Sequence, residues 1–280
     1  VVRDRASGVY ADPAKVHPIR HQGANYSVPG FHLCEPSPQR TPVLYQAGTS
    51  SKGKAFAGRH AECVFVSGPS QAVVARYVAD LRAAAVRGGR APEALKIYAQ
   101  ALIVTGATEA EARARYDDYR RHIDIEGALT LLSGWTGVDF SRFDVDATIE
   151  YIDTEAGRSA LHSFTQADPS RNWTVREAAE FIGLGGRGPV LVGDPAQVAD
   201  QLESWVDETG IDGFNLAFAV AHESMRDVVE LVVPELQRRG RYPLAYPSGS
   251  LRQKLFGRGD RLPDEHAGRQ VTIGSATAAA

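Results

Sequence analysis

The chain has 280 residues, 43% hydrophobic and 23% charged, the balance of a globular protein with room for one large α/β domain or two small ones. A formal net charge of −3 argues against a general nucleic-acid footprint. The only cysteines, Cys34 and Cys63, exclude a disulfide framework and fit a reducing cytoplasm, and the best helical apolar stretch, residues 73–86, carries Arg76, Asp80 and Arg82 and cannot span a membrane.

Residues 1–40 are rich in Pro and Gly and read as a connector with a hairpin, residues 16–19 and 25–28 flanking Gln22-Gly23. Residues 41–124 read as βα units. An apolar run at 42–47 is followed by Gly48-Thr49-Ser50-Ser51-Lys52-Gly53, a helical pattern from Lys54, and a second strand at 62–67. Strand, hydroxyl- and glycine-rich turn, then helix places open backbone amides and the positive end of a helix dipole at one point, where an anion binds. The same residues also serve as an ordinary N-cap, and the spacing is neither a Walker loop nor GxGxxG, so the residues alone leave both readings open.

Residues 69–88 form an amphipathic helix with Val73, Val74, Tyr77, Val78, Leu81 and Ala85 on one face. An apolar run at 95–104 reads as a buried strand interrupted by Lys96 and Gln100, and Thr108 with Glu111 opens a charged helix. From 125 to 188 the strand–helix rhythm fails, and about sixty irregular residues are too long for a plain connector, so an insertion or lid is expected. The glycine-rich residues 183–188 precede an apolar run instead of following one, which reads as a flexible linker and not a dinucleotide loop. Asp194-Pro195-Ala196-Gln197 starts the next helix, 213–219 forms the last of four principal strands, and a helix covers 224–239, so 189–245 is the last βα unit. Residues 246–280 read as a C-terminal tail. This alternation implies a parallel sheet with right-handed crossovers.

No HExxH, CxxC, GxSxG or EF-hand loop occurs, and His60, His122, His162 and His222 are scattered, so neither a metal nor a catalytic residue is assigned. Tyr45 and Gln46 end a strand on the side where barrel enzymes carry their sites.

The run PVLYQAGTSSKGKAFAGRHAECVF, residues 42–65, closely resembles the fifth-strand region of the nitrilotriacetate, dibenzothiophene-sulfone and long-chain alkane monooxygenase group. That group belongs to the bacterial-luciferase-like flavin monooxygenases. Residues 10–16, Ser133-Gly134-Trp135-Thr136-Gly137, 213–219, 233–240 and 251–257 agree in the same order, so the resemblance runs from about residue 8 to 262. It implies a TIM (β/α)8 barrel of luciferase-like type, with an insertion before the last strand. It implies also an enzyme that takes reduced FMN from a separate flavin reductase and uses O2 to oxygenate a small organic substrate. By the same resemblance Gln46, Ala47, Gly48, Thr49, Ser50 and Gly53 hold the FMN phosphate, and Trp135 is either a wall of the substrate pocket or part of the insertion's own core. A cytoplasmic homo-oligomer is expected of the full-length protein. The family carries a further N-terminal half, so the chain is expected to be the C-terminal half of such a barrel. Its alternative is an inactive half-barrel remnant that at most binds FMN or phosphate.

Overall fold

The computed structural model describes residues 1–32, 34–150, 158–168 and 170–271. They fall into two compact units, Val1–Leu44 with Pro247–Ala280, and Tyr45–Tyr246.

In the first unit the hairpin is present but shorter than expected. β1 (His21–Gln22) pairs antiparallel with β2 (Ser27–Val28), His21 opposite Val28. Residues 16–19 stay outside the ladder, as Pro18 has no amide to donate. A short helix, Leu251–Phe256, begins at Ser250 with a reciprocal Ser250–Gln253 cap and stops at Gly257 (φ +63°). Its Arg252, 1% exposed, donates to the carbonyls of Asp260, Thr41 and Pro42 at 2.6, 3.0 and 3.0 Å.

The second unit contains β3 (Tyr45–Ala47), α1 (Ser51–His60), β4 (Cys63–Val66), α2 (Gln71–Arg87), β5 (Lys96–Thr105) and α3 (Glu109–Arg121). Then come α4 (Ile125–Thr136), α5 (Arg158–Thr165), α6 (Val175–Gly185), β6 (Val190–Gly193), α7 (Pro195–Thr209) and β7 (Gly213–Ala217). The expected helix over 224–239 is interrupted: α8 (Glu223–Asp227) passes through a π turn (Val228–Val232) into α9 (Val233–Arg238). Pro234 explains the break, since it cannot donate to the carbonyl one turn back and the wider turn absorbs the missing bond.

Among the described residues of this unit, five strands form one parallel sheet, not the four strands expected from sequence. The short apolar run at 190–192 is the additional one, pairing Leu102–Thr105 of β5, while β7 pairs Tyr98–Leu102. Strand alternation divides the sheet. Val64, Val66, Ile97, Ala99, Ala101 and Ile103 pack against Val73, Val74, Val78 and Leu81 of α2 and Val198, Leu202 and Trp205 of α7. Tyr45 stacks on Phe65 and on Tyr98, with ring centroids 5.2 and 6.5 Å apart, and Phe65 meets Tyr98 at a tilt with centroids 6.2 Å apart. The described residues of 125–188 hold α4 to α6 and a separate cluster built on Leu132, Phe140, Leu161, Phe164, Trp173 and Ile182.

Candidate functional site

Three local devices shape the turn between β3 and α1. Gly48 has φ +128°, a backbone that side chains rarely adopt, so the chain reverses directly after Ala47. Ser50 is extended (φ −64°, ψ 158°), and its Oγ accepts from the Gly53 amide at 3.1 Å. Gly53 keeps the turn hollow, for a Cβ there would lie 3.1 Å from Ser50 Oγ and 3.4 Å from the Gly48 carbonyl. The first turn of α1 contains Lys52 and Lys54 and no acid; Lys54 bonds Asp80 of α2 at 2.5 Å. The positive pole of this helix therefore lacks the carboxylate that commonly offsets it.

One distant segment meets this turn, and a second adjoins the first. Tyr77 of α2 is 6% exposed, and its hydroxyl lies beside Thr49 without making a well-formed hydrogen bond. Burial raises the Tyr77 pKa, against the opposing pull of Thr49 and the Arg187 charge. Arg187 comes from the stretch between α6 and β6; its Nε is enclosed and unbonded. Burial lowers its pKa, and the nearby group that opposes this is Tyr77, not a carboxylate.

That stretch is not the free linker its composition suggests. Residues 183–185 end α6, and Gly186 turns with φ +67°. At Gly188 a Cβ would lie 2.4 Å from the Gln100 carbonyl oxygen, so glycine is what lets the backbone press against β5. Gln100 secures the approach from the other side, accepting from Ser67 Oγ at 3.0 Å and donating to the Gly185 carbonyl at 3.3 Å.

Gln46 completes the group. Its Nε2 donates to the Ala47 carbonyl at 2.7 Å, and its buried Oε1 has no partner. Among the described residues, Gln46 Oε1, Tyr77 Oη and Arg187 Nε are the buried side-chain polar atoms left without a hydrogen bond. Buried polar atoms are ordinarily paired; Gln46 and Tyr77 adjoin the turn and Arg187 lies near Tyr77, an arrangement that fits a polar ligand.

The structure thus brings Gln46, Gly48, Thr49, Ser50 and Gly53 together, with Ala47 and Gly48 exposed at the surface of the turn. Trp135 is elsewhere, on α4 and 38% exposed. A cleft of about 450 Å³ is lined instead by Trp173, with Phe181, Arg171, Arg120, Tyr116 and Val190 around it, and none of the turn residues reaches it. Arg171 lies 3.5 Å from the centre of the Trp173 ring. Sequence reasoning missed Tyr77, Gln100 and Arg187. Tyr77 reads as one more apolar residue of α2, whereas polar Gln100 in a buried strand and a charge between two glycines were the available signals. No group of three His, Cys, Asp or Glu side chains among the described residues could hold a metal ion. Nor is any helix there long and apolar enough to cross a membrane.

Comparison with known proteins fits this geometry into a family. The luciferase-like monooxygenase family matches residues 11–213. The dimethyl-sulfide monooxygenase of Hyphomicrobium sulfonivorans is 45% identical over 271 residues, covering 96% of this chain and 56% of that protein. The long-chain alkane monooxygenase of Geobacillus thermodenitrificans is 40% identical, over 98% of this chain and 59% of its own length. Among solved structures, that of DmoA from H. sulfonivorans superposes with a TM-score of 0.82 at 44% identity, covering 98% of this chain and 58% of its own. Riboflavin lyase RcaE, solved with modified FMN and riboflavin, gives a TM-score of 0.82 at 34% identity, covering 96% and 60%. The chain therefore spans a little over half the length of these relatives. The parallel sheet, the order of its helices and this match along most of its length make the chain a member of the luciferase-like monooxygenase family.

Proposed function

We propose that the chain forms part of a flavin-dependent monooxygenase that receives reduced FMN from a flavin reductase and uses O2 to oxygenate a small organic substrate. In this reading residues 41–124 and 189–245 are βα units of a TIM (β/α)8 barrel, and 125–188 covers the substrate. The observation that carries it is the β3–α1 turn, where the unpartnered Gln46 Oε1 and Tyr77 Oη adjoin the positive end of a helix and the unpartnered Arg187 lies near Tyr77. Relatives named for dimethyl sulfide, long-chain alkanes and nitrilotriacetate support the reaction class but not one substrate.

The residues present fit a flavin phosphate. Ser50 Oγ already accepts from Gly53, which leaves its proton free for a phosphate oxygen. The first amides of α1 and the helix dipole stabilise the negative charge, while Gly48 and Gly53 let the ligand approach the backbone. Thr49 adds a second hydroxyl. Reduced flavin, when bound, supplies the electrons that activate O2. This chain's share is to orient that cofactor from the phosphate end and to keep bulk water away from the reacting atoms. The second task falls to the stacked Tyr45, Phe65 and Tyr98 and to the helical cover of α4 to α6.

The test is FMN titration followed by O2 uptake with a flavin reductase, a nicotinamide donor and a panel of sulfides, alkanes and amino-polycarboxylates. FMN binding with substrate-dependent uptake is the expected result. Failure to bind FMN overturns the reading. Binding without substrate-dependent uptake favours the second reading, an inactive chain that at most binds FMN or phosphate.

A further inference from the structure

We propose that Arg187 is the charged clamp of the phosphate seat, closing with the Tyr77 hydroxyl over an anion held at the N-terminus of α1. The inference rests on the FMN reading above, in which that anion is the cofactor's phosphate.

Three independent observations converge on it. The first is the company Arg187 lacks. Other enclosed arginines of this chain are satisfied by the protein: Arg90 donates to the Gly58, Ala61 and Ala94 carbonyls, and Arg115 bonds Asp227, Glu111 and the Thr105 carbonyl. Arg187 has no hydrogen bond or ion pair to any described residue. An uncompensated guanidinium in an enclosed position is costly, and a phosphate is the partner its planar fork matches best. The second is Tyr77, 94% buried by its 6% exposure, whose unpartnered hydroxyl lies beside both Thr49 of the turn and Arg187. A buried hydroxyl donor between a turn hydroxyl and a bare cation is placed to meet one anionic oxygen.

The third is rigidity. Gly186 and Gly188 bracket Arg187 and hold its backbone on Gln100 of β5, so the charge is presented from a fixed point. The same turn already offers open helix amides and no acid. Gln46 Oε1 has a different part to play: as an acceptor it suits a hydroxyl, and a flavin's polyol chain supplies hydroxyls next to the phosphate.

FMN and riboflavin differ only in the phosphate, so the pair isolates the claim. Binding of each is titrated by flavin fluorescence to the wild type and to Arg187→Met, Arg187→Lys and Tyr77→Phe, with a thermal melt of every variant. The wild type should prefer FMN. Arg187→Met should lose FMN affinity by roughly tenfold or more, the size expected for a charged hydrogen bond, with riboflavin affinity unchanged. Arg187→Lys should fall between the two, and Tyr77→Phe should show a smaller loss, again for FMN alone. Arg187→Met that binds FMN like the wild type, or that loses both flavins equally while melting normally, overturns the proposal. Should the methionine variant fail to fold, the lysine variant decides, because an unchanged FMN-to-riboflavin ratio there also overturns it. A wild type without preference for FMN defeats the phosphate reading itself, whereas a preference that survives in the Arg187 variants defeats only the role of Arg187.

Discussion

Cys63 shows how one position on the sheet sets a side chain's chemistry. Register pairs it with Tyr45 on β3 and Lys96 on β5, and it is fully buried. Burial pushes its thiol up to about 11 and the neighbouring Tyr45 hydroxyl up to about 12. At pH 8 the Cys63 thiol is therefore protonated, and a protonated, enclosed thiol is a poor nucleophile. Cys34 is exposed. A disulfide reagent at pH 8 should titrate one thiol in the native protein and the second only after denaturation. Two fast equivalents would mean that the Cys63 side of the sheet is open to small molecules. The same scale explains which site residues the sequence revealed. Ser50 was legible because an N-cap is a local signal: a hydroxyl in extended backbone three residues before the amide it accepts from. Arg187 was not, because its meaning depends on Tyr77, which folding alone brings near it.

At the scale of elements, the α1–α2 contact holds the turn in place, and Gly58 lies in close approach to α2. A Cβ on Gly58 would stand 2.4 Å from the Ala84 carbonyl oxygen and 2.5 Å from its carbon, backbone atoms that cannot swing aside. Helix propensity alone favours alanine over glycine inside α1 by about 1 kcal/mol. The clash opposes that gain and forces the helices apart, disturbing also the bond from Arg90 to the Gly58 carbonyl. Gly58→Ala should therefore destabilise the protein by about 1–3 kcal/mol net, the usual cost of overpacking, and weaken FMN binding through the displaced turn. A melting temperature at or above the wild type would show that α1 can shift freely. Helix starts at Thr108 and Asp194 were readable because caps are written in three or four consecutive residues. β6 was harder to recognise as a strand: four residues carry little periodicity, and its pairing partner lies across the whole segment 106–189.

For the whole molecule the notable division is between two hydrophobic clusters inside the Tyr45–Tyr246 unit. One joins the sheet to α1, α2 and α7 and includes Trp205; the other lies within α4 to α6 and their loops and includes Trp173 in edge-on contact with Phe164 and Phe181. The loss of strand–helix rhythm after residue 124 was visible in sequence, but a second core was not, since its apolar residues are spread over irregular segments with no single period. Among the described residues, the side-chain links across the division are Arg120 to Glu180 at 3.1 Å, Ser70 to Asp168 at 2.8 Å and Gln100 to the Gly185 carbonyl, with Ala167 entering the sheet cluster. Segments joined to a core by few apolar contacts open at lower free energy than that core, and covers over active sites are drawn from such segments. In a Trp135→Phe background, Trp205→Phe reports on the helical cluster through Trp173, and Trp173→Phe reports on the sheet cluster through Trp205. Urea unfolding should show the Trp173 signal changing at lower denaturant than the Trp205 signal. Added FMN should raise the Trp205 midpoint, because a ligand bound only by the folded state stabilises it by mass action. Coincident midpoints would mean that the two clusters unfold as one cooperative unit, and the helical segment would then be too firmly tied to the sheet to open as a cover.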